Sequence, residues 1–302
     1  MFKFKRGIST DFVKRLNDEY NNGGWWRSIA DDRKLFIAIR DGYLNVYWKG
    51  NSLLRLTLDE KKRLVGETHY KYLLRSELVD NKQYILSYNG KVESFDASKM
   101  FLPDLSSIAA LTRAADAYSG DEKAGVHQII LSNPNIIDVE VTFGLEGDNE
   151  KSPATRRIDF AALRPTADGA EIVFYEAKLF SNKEIRAKGN AIPPVVGQIK
   201  DYQELLITHT KDVEHSYRTI CGNLAALDGV RGRYNADLLA SGNAALHVSK
   251  NVWLVVFGFD IDQRDGKVWS KHKKKLEETA LKDRLLFNGN PKEITRGIPS
   301  TL

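Results

Sequence analysis

Arg156-Arg157-Ile158-Asp159-Phe160-Ala161-Ala162-Leu163 and Glu171-Ile172-Val173-Phe174-Tyr175-Glu176-Ala177-Lys178-Leu179 each read as a strand with charge in an unusual place. Ile, Val, Phe and Ala dominate both, as in strands covered on two faces, and polar groups inside such strands need partners. The linker Arg164-Pro165-Thr166-Ala167-Asp168-Gly169-Ala170 is turn material, so a hairpin-like pair is expected. Side chains repeat their direction every second residue along a strand. Glu176 and Lys178 therefore share one face, Ala177 points away, and Asp159 sits on the neighbouring strand. Two carboxylates and an ammonium in apolar surroundings point to a divalent-cation site with a lysine beside it.

Downstream of this pair, Pro193-Pro194 suit the entrance of a helix expected over Val195–Ile207. Gln198 and Tyr202 are four residues apart in it and share a face. An amide and a phenol so placed can hydrogen-bond a phosphate, a water or Lys178. Upstream, Asp121–Leu131 reads as a helix stopped by Ser132-Asn133-Pro134, and Ile136–Phe143 as a strand. Val126, Ile129 and Ile130 stand four, seven and eight residues from Glu122, so Glu122 continues the apolar stripe to the helix start. The helix dipole favours an acid there in any case, so Glu122 has a structural reading beside that of a cation ligand. His127 lies about 140° round the helix from Glu122 and ranks behind it. Glu140 is an extra acid whose expected place is an exposed edge. Glu184, in the polar loop after the site strand, is expected to face solvent.

The remaining elements complete an order of helices and strands. Glu214–Leu227 reads as a helix, Asn251–Asp260 as a strongly apolar strand, and Trp269–Leu286 as a charged amphipathic helix. Helices packed over a mixed central sheet explain that order. The first 100 residues differ, being β-rich after a short helix over Thr10–Tyr20. Strands are expected over Lys34–Arg40, Tyr43–Trp48, Ser52–Leu58 and Gln83–Tyr88, with Asp41-Gly42 as a hairpin turn. Trp25-Trp26 reads first as cover for the core of this small sheet, with base stacking as the rarer use. Asp104 is placed to cap an alanine-rich helix reaching Tyr118. The chain thus divides into a β-rich module over residues 1–100 and a second domain over 101–302.

With 302 residues, 42% hydrophobic and 28% charged, the composition is that of a globular protein with real cores. The net charge of +5 fits a polyanion partner when joined to the site above. Cys221 is the single cysteine, which excludes an intrachain disulfide and a Cys-rich zinc site. A reducing compartment is favoured. The start lacks the apolar region of a signal peptide and the apolar run near Val252–Phe259 is short, so a cytoplasmic protein is expected. There is no G-x-S-x-G elbow, P-loop or dinucleotide G-x-G-x-x-G, which removes support for serine hydrolase, NTPase and Rossmann readings.

Ile158-Asp159-Phe160, Glu176-Ala177-Lys178 and Gln198-x-x-x-Tyr202, with Glu122 on a preceding helix, resemble the PD-(D/E)xK phosphodiesterase superfamily. Within these restriction-endonuclease-like nucleases, the similarity is greatest to the RecB-like, Cas4-like and lambda-exonuclease-like group. It covers residues 119–207 and a closing strand at 251–260. Arg157 stands before Ile158 where the group often has Gly. The resemblance implies an α/β restriction-endonuclease-like core with a separate β-rich N-terminal domain, and a Mg²⁺-dependent deoxyribonuclease in which Mn²⁺ substitutes. Asp159, Glu176 and the Ala177 carbonyl would hold the cation, with Glu122 completing the site or holding a second ion. Lys178 would act on the water or the phosphate, supported by Gln198 and Tyr202. Arg156, Arg157, Lys183, Arg186, Lys188 and Lys200 flank the site and are candidates for contacting a nucleic-acid backbone. Residues 1–100 are the candidate module for binding substrate, a partner protein or a second copy. A ribonuclease and a non-catalytic nucleic-acid-binding protein are the alternatives. Restriction, phage defence, mobile-element processing and repair all use this chemistry, and endo- and exonucleolytic action are both open.

Overall fold

The computed structural model describes residues 4–72, 83–86, 108–143, 156–295 and 298. The chain forms two compact units, one of residues 5–127 and 219–240, the other of residues 1–4, 128–218 and 241–302. The division expected near residue 100 is simpler than this one. Asp104 lies outside the described residues.

In the first unit, helices α1 (Thr10–Asn21) and α2 (Trp25–Asp31) precede an antiparallel sheet. The Ser9 side chain accepts from the Phe12 N–H and caps α1. Strands β1 (Phe36–Ile39), β2 (Leu44–Trp48), β3 (Asn51–Leu58), β4 (Leu64–His69) and β5 (Gln83–Leu86) lie side by side in chain order. Gly42 takes φ +79° in the β1–β2 turn, which a side chain would resist. Trp26 is fully buried, so it serves the core of this unit. Strand β4 was not foreseen. Its alternation is genuine, with Leu64, Gly66 and Thr68 buried, but Gly66 and Glu67 dilute the apolar signal. Helix α3 (Ile108–Asp116) and the first half of α4 (Asp121–Ser132) follow.

The second unit holds a mixed sheet. Its strands are β6 (Ile136–Phe143), β7 (Arg156–Thr166), β8 (Gly169–Leu179), β9 (Leu246–Phe257) and β10 (Leu285–Phe287), in the order β10-β9-β8-β7-β6. Strands β6, β7 and β8 form an antiparallel meander, while β9 and β10 run parallel to β8. Parallel neighbours need long crossovers. Helices α5 (Pro194–Thr208), α6 (Thr210–Ala226) and α7 (Ala236–Ala244) come between β8 and β9, and α8 (Ile261–Asp265) and α9 (Lys267–Glu277) between β9 and β10. The chain is therefore α/β, with one antiparallel and one mixed sheet. Among the described residues, no helix is long and apolar enough to cross a membrane.

Two expectations need correction. The β7–β8 hairpin is tighter than its turn-like composition implied. Arg164 and Pro165 pair with Glu171 and Ala170, and only Ala167 and Asp168 separate the strands. The helix expected over Trp269–Leu286 stops at Glu277. Leu285, Leu286 and Phe287 instead pair with Leu254, Val255 and Val256. A free edge on the apolar β9 is a stronger demand than the local helical pattern.

The registers explain why the charged residues end in one line. Val139, Phe160, Tyr175 and Trp253 form one row across four strands. Phe160 stacks on Tyr175 with ring centroids 5.0 Å apart, and Tyr175 lies 6.3 Å from Trp253. Cross-strand aromatic pairs pin a register. Next to this row, Glu176 pairs with Leu254, while Asp159 adjoins Phe160 on β7 and Glu140 adjoins Val139 on β6.

Candidate active site

Asp159 and Glu176 stand one step beyond the last paired residues of the hairpin, Phe160 and Tyr175. There the side chain of Asp159 takes up a bond the backbone ladder no longer makes. Its Oδ2 accepts from the Ala177 N–H at 2.7 Å. Burial first, and then the charge of Glu176, hold the Asp159 carboxyl well above the usual carboxylate range, although the Ala177 bond opposes the shift. Glu140 on β6 adds to it.

Glu176 is only 2% exposed. Its Oε1 receives Lys178 Nζ at 2.8 Å and the Gln198 amide at 2.9 Å. Glu176 and Lys178 thus lie on one face, as strand alternation requires. Burial pulls the Lys178 ammonium down, but the charge and hydrogen bond of Glu176, with Glu184, win and hold it above the ordinary lysine value. Lys178 therefore stays charged through neutral pH.

Helix α5 brings Gln198 and Tyr202 to the same point. The Gln198 amide also donates to the Tyr202 hydroxyl at 2.7 Å, and that hydroxyl donates to the Arg157 carbonyl at 2.6 Å. Burial, and next the charge of Glu176, push the Tyr202 phenol above its ordinary value, so it remains a neutral donor. Phosphate, water or Lys178 was the expected partner of Gln198, whereas its amide reaches Glu176. A chain of bonds thus runs from the Arg157 carbonyl on β7 through Tyr202 and Gln198 on α5 to Glu176 and Lys178 on β8, and Asp159 is tied to β8 separately, at the Ala177 N–H.

Glu122 and His127 belong to the other unit. His127 is buried there, and its Nε2 meets the Lys34 carbonyl at 2.9 Å. Burial lowers its pKa, so it is a neutral donor packed beside Trp48 at 5.3 Å. Glu122 is half-buried in the first turn of α4. Glu140 is half-buried, not exposed as an edge acid would be. Its φ of +50° breaks the strand locally, and its Oε2 pairs with Arg157 at 2.6 Å.

Glu184 is exposed, as expected, and it also has a partner that its place in a polar loop did not foretell. Its Oε2 lies 2.6 Å from Lys178 Nζ. A short helical turn over Lys183–Ile185 carries it, with the Asn182 side chain capping the Glu184 N–H at 2.9 Å. Ile185 is fully buried and anchors that turn. The signal was present as an Asn cap followed by one apolar residue, but a single turn has no periodicity to read.

The flanking cations differ in what they have left to offer. Lys183, Lys188 and Lys200 are exposed, with Lys200 4.0 Å from Glu204. Arg157 is exposed and paired with Glu140. Arg186 is committed to the fold. Its guanidinium donates to the Phe180 and Asn182 carbonyls and lies over the rings of Phe180 and Trp269. Arg156 begins β7, and its side chain is not among those described.

Among the described residues, no group of three or more His, Cys, Asp or Glu side chains is arranged to hold a metal ion. Asp159 and Glu176 nonetheless offer two hard oxygen donors on facing strands. Mg²⁺ commonly keeps several waters and takes only one or two carboxylates. Burial, and then repulsion from Glu176, raise the Asp159 pKa, and a divalent cation would offset both. The donor set fits such an ion.

No protein-family model, curated protein or solved structure matches the chain. Function must therefore be argued from the geometry of this site.

Proposed function

We propose that this protein is a divalent-cation-dependent phosphodiester hydrolase acting on nucleic acid, with DNA as the leading substrate. The observation that carries this reading is one cluster. Asp159 and Glu176 face each other on adjacent strands, Lys178 lies on Glu176, and Gln198 ties Glu176 to Tyr202. The chemistry of that set is similar to the PD-(D/E)xK nucleases, whose motif order the chain shares. A cation held by Asp159 and Glu176 would supply Lewis-acid charge to the scissile phosphate.

The chain's own residues then have distinct tasks. Asp159 is held in place by the Ala177 N–H, and Glu176 by Gln198 and Lys178. Preorganised groups of this kind do not have to reorganise during the reaction. Lys178, fixed as an ammonium, donates to a phosphate oxygen or orients the attacking water. It is too basic to remove a proton itself. Gln198 and Tyr202 are positioning residues that aim Glu176. The exposed Lys183, Lys188 and Lys200 supply salt-dependent attraction to a phosphate backbone, without sequence reading.

The test is digestion of linear duplex, circular duplex and single-stranded DNA, and of RNA, with Mg²⁺ or Mn²⁺ and with a chelator. Cleavage of DNA that requires the cation and is lost in Asp159→Ala and Lys178→Ala is expected. Cleavage of RNA alone would make the protein a ribonuclease. A folded wild-type protein that cleaves none of these substrates would sink the proposal.

A further inference from the structure

Lys178 has two carboxylate partners of very different kind. Glu176, 2% exposed, is held from behind by Gln198. Glu184, whose side chain is 49% exposed, approaches from the solvent side. Both reach the same nitrogen, at 2.8 Å and 2.6 Å. An ammonium has three protons to donate, and these two acids claim its inner and outer approaches.

The turn that presents Glu184 is anchored from several directions. Asn182 caps it, Ile185 is buried beneath it, and Arg186 fastens it to the Phe180 and Asn182 carbonyls. Behind Arg186, the loop is tied to α9. The Ala187 N–H donates to His272 Nδ1 at 3.3 Å, and Lys275 Nζ donates to the carbonyls of Ala187, Gly189 and Ala191. Glu184 is therefore carried on a braced support and aimed at Lys178.

We infer that the solvent-facing side of Lys178 is the seat of the substrate phosphate, and that Glu184 is an internal anion occupying this seat until phosphate displaces it. The inference rests on the phosphodiesterase reading for the identity of the substrate, but the anion seat itself is tested separately. Glu176 is the wrong acid to release, because its departure would strand a buried charge and break the bond to Gln198. Glu184 can turn its half-exposed carboxylate into water, while the buried Lys178 keeps Glu176 as its partner. Phosphate then replaces one anion by another on the same ammonium. The exchange makes Glu184 a competitor of the substrate and a brake on weakly held anions.

Glu184→Gln keeps the shape of the side chain and removes its charge. The first probe is inorganic phosphate, followed by its effect on the melting midpoint without divalent cation. Phosphate should bind Glu184→Gln about fivefold more tightly than wild type, and Lys178→Met in the Glu184→Gln background should lose that gain. The second probe is a short labelled DNA duplex. In Glu184→Gln its KM should fall by about the same factor with kcat nearly unchanged, and the difference should shrink as salt rises. Equal phosphate binding by wild type and Glu184→Gln would overturn the seat. So would a Glu184→Gln protein that loses kcat while KM stays put, because Glu184 would then be assisting the reaction. Tighter phosphate binding by the variant, with no nucleic acid bound or cleaved by either protein, would uphold the seat and refute the nuclease reading.

Discussion

Arg233 and Lys178 are both cations drawn out of solvent, one in each unit, and they are held in opposite ways. Arg233 donates to the carbonyls of Ile29, Ala30, Asp32 and Leu35, so its main partners are neutral backbone acceptors. Burial lowers its pKa. Lys178 is held by carboxylates, which reverse the effect of burial. Beside it, burial and then Glu176 raise the Asp159 pKa as well, which there favours the neutral form. Arg233 ties a loop together through neutral acceptors. The Lys178 cluster keeps like charges together where neutral residues would pack more easily. On the proposed hydrolase reading, that arrangement serves to polarise a phosphate.

Asp138 sharpens the contrast within the same sheet. It is fully buried on β6, yet it accepts from the Val139 N–H at 2.8 Å and the Tyr217 hydroxyl at 3.0 Å. The rings of Phe4 and Phe174 pack on Tyr217, and Phe143 stacks on Phe4. A buried acid on this sheet can be a structural one. Burial does not distinguish Asp138 from the site; the identity of the partners does.

The largest expected effect is on catalysis. Asp159→Ala should lower kcat by about 10³-fold or more, measured on whichever nucleic acid the wild type cleaves, while Arg233→Ala should leave kcat per folded molecule unchanged. Equal losses in both variants would erase the distinction between the two cations. Next in size are the losses of stability. Lys178→Ala strands buried acids and should cost about 3 kcal/mol in denaturant unfolding without divalent cation. Added Mg²⁺ should return part of that loss. Arg233→Ala removes a donor from several carbonyls and should cost about 2 kcal/mol, with no recovery on adding Mg²⁺.

A smaller effect has the opposite sign. The raised Asp159 pKa means that the folded chain keeps a proton which the unfolded chain has already lost. Stability must then fall as pH rises through that window, from the usual carboxylate value up to the raised one. Asp159→Asn removes this liability and can still accept from Ala177. It should raise the melting midpoint by about 2–4 °C at pH 8, and the gain should vanish below the usual carboxylate range. A lower midpoint at pH 8 would show that the Asp159 carboxylate stabilises the fold. The smallest expected effect is that of Tyr202→Phe, which removes the bond to the Arg157 carbonyl and should cost about 1 kcal/mol. Activity should fall modestly, because Gln198 loses its brace and not its bond to Glu176.

Much of the second unit was legible because its signals are local. Strand alternation places Glu176 and Lys178 together, and helical spacing does the same for Gln198 and Tyr202. The paired prolines mark the start of α5, and the apolar run marks β9. Elements without strong periodicity escaped. Strand β4 is diluted by Gly66 and Glu67, α8 is a helix of five residues, and the last strand was hidden in the tail of a helical pattern. The division into units was equally opaque. Residues 219–240 group with residues 5–127, far away in sequence, and no local pattern reports such an association.

The sequence by itself determined which side chains share a strand face or a helix face, because the two periods are properties of the backbone. From these follow Glu176 with Lys178, Gln198 with Tyr202, and the alternation of helices with strands. Only the tertiary structure decided which faces meet. It set Gln198 on Glu176, brought Glu140 beside Asp159 through a left-handed residue, and gave the surface acid Glu184 a partner in Lys178. Those outcomes depend on strand register, on one capped turn and on a buried isoleucine. Each is a long-range or single-residue event, and neither leaves a repeating trace in the sequence.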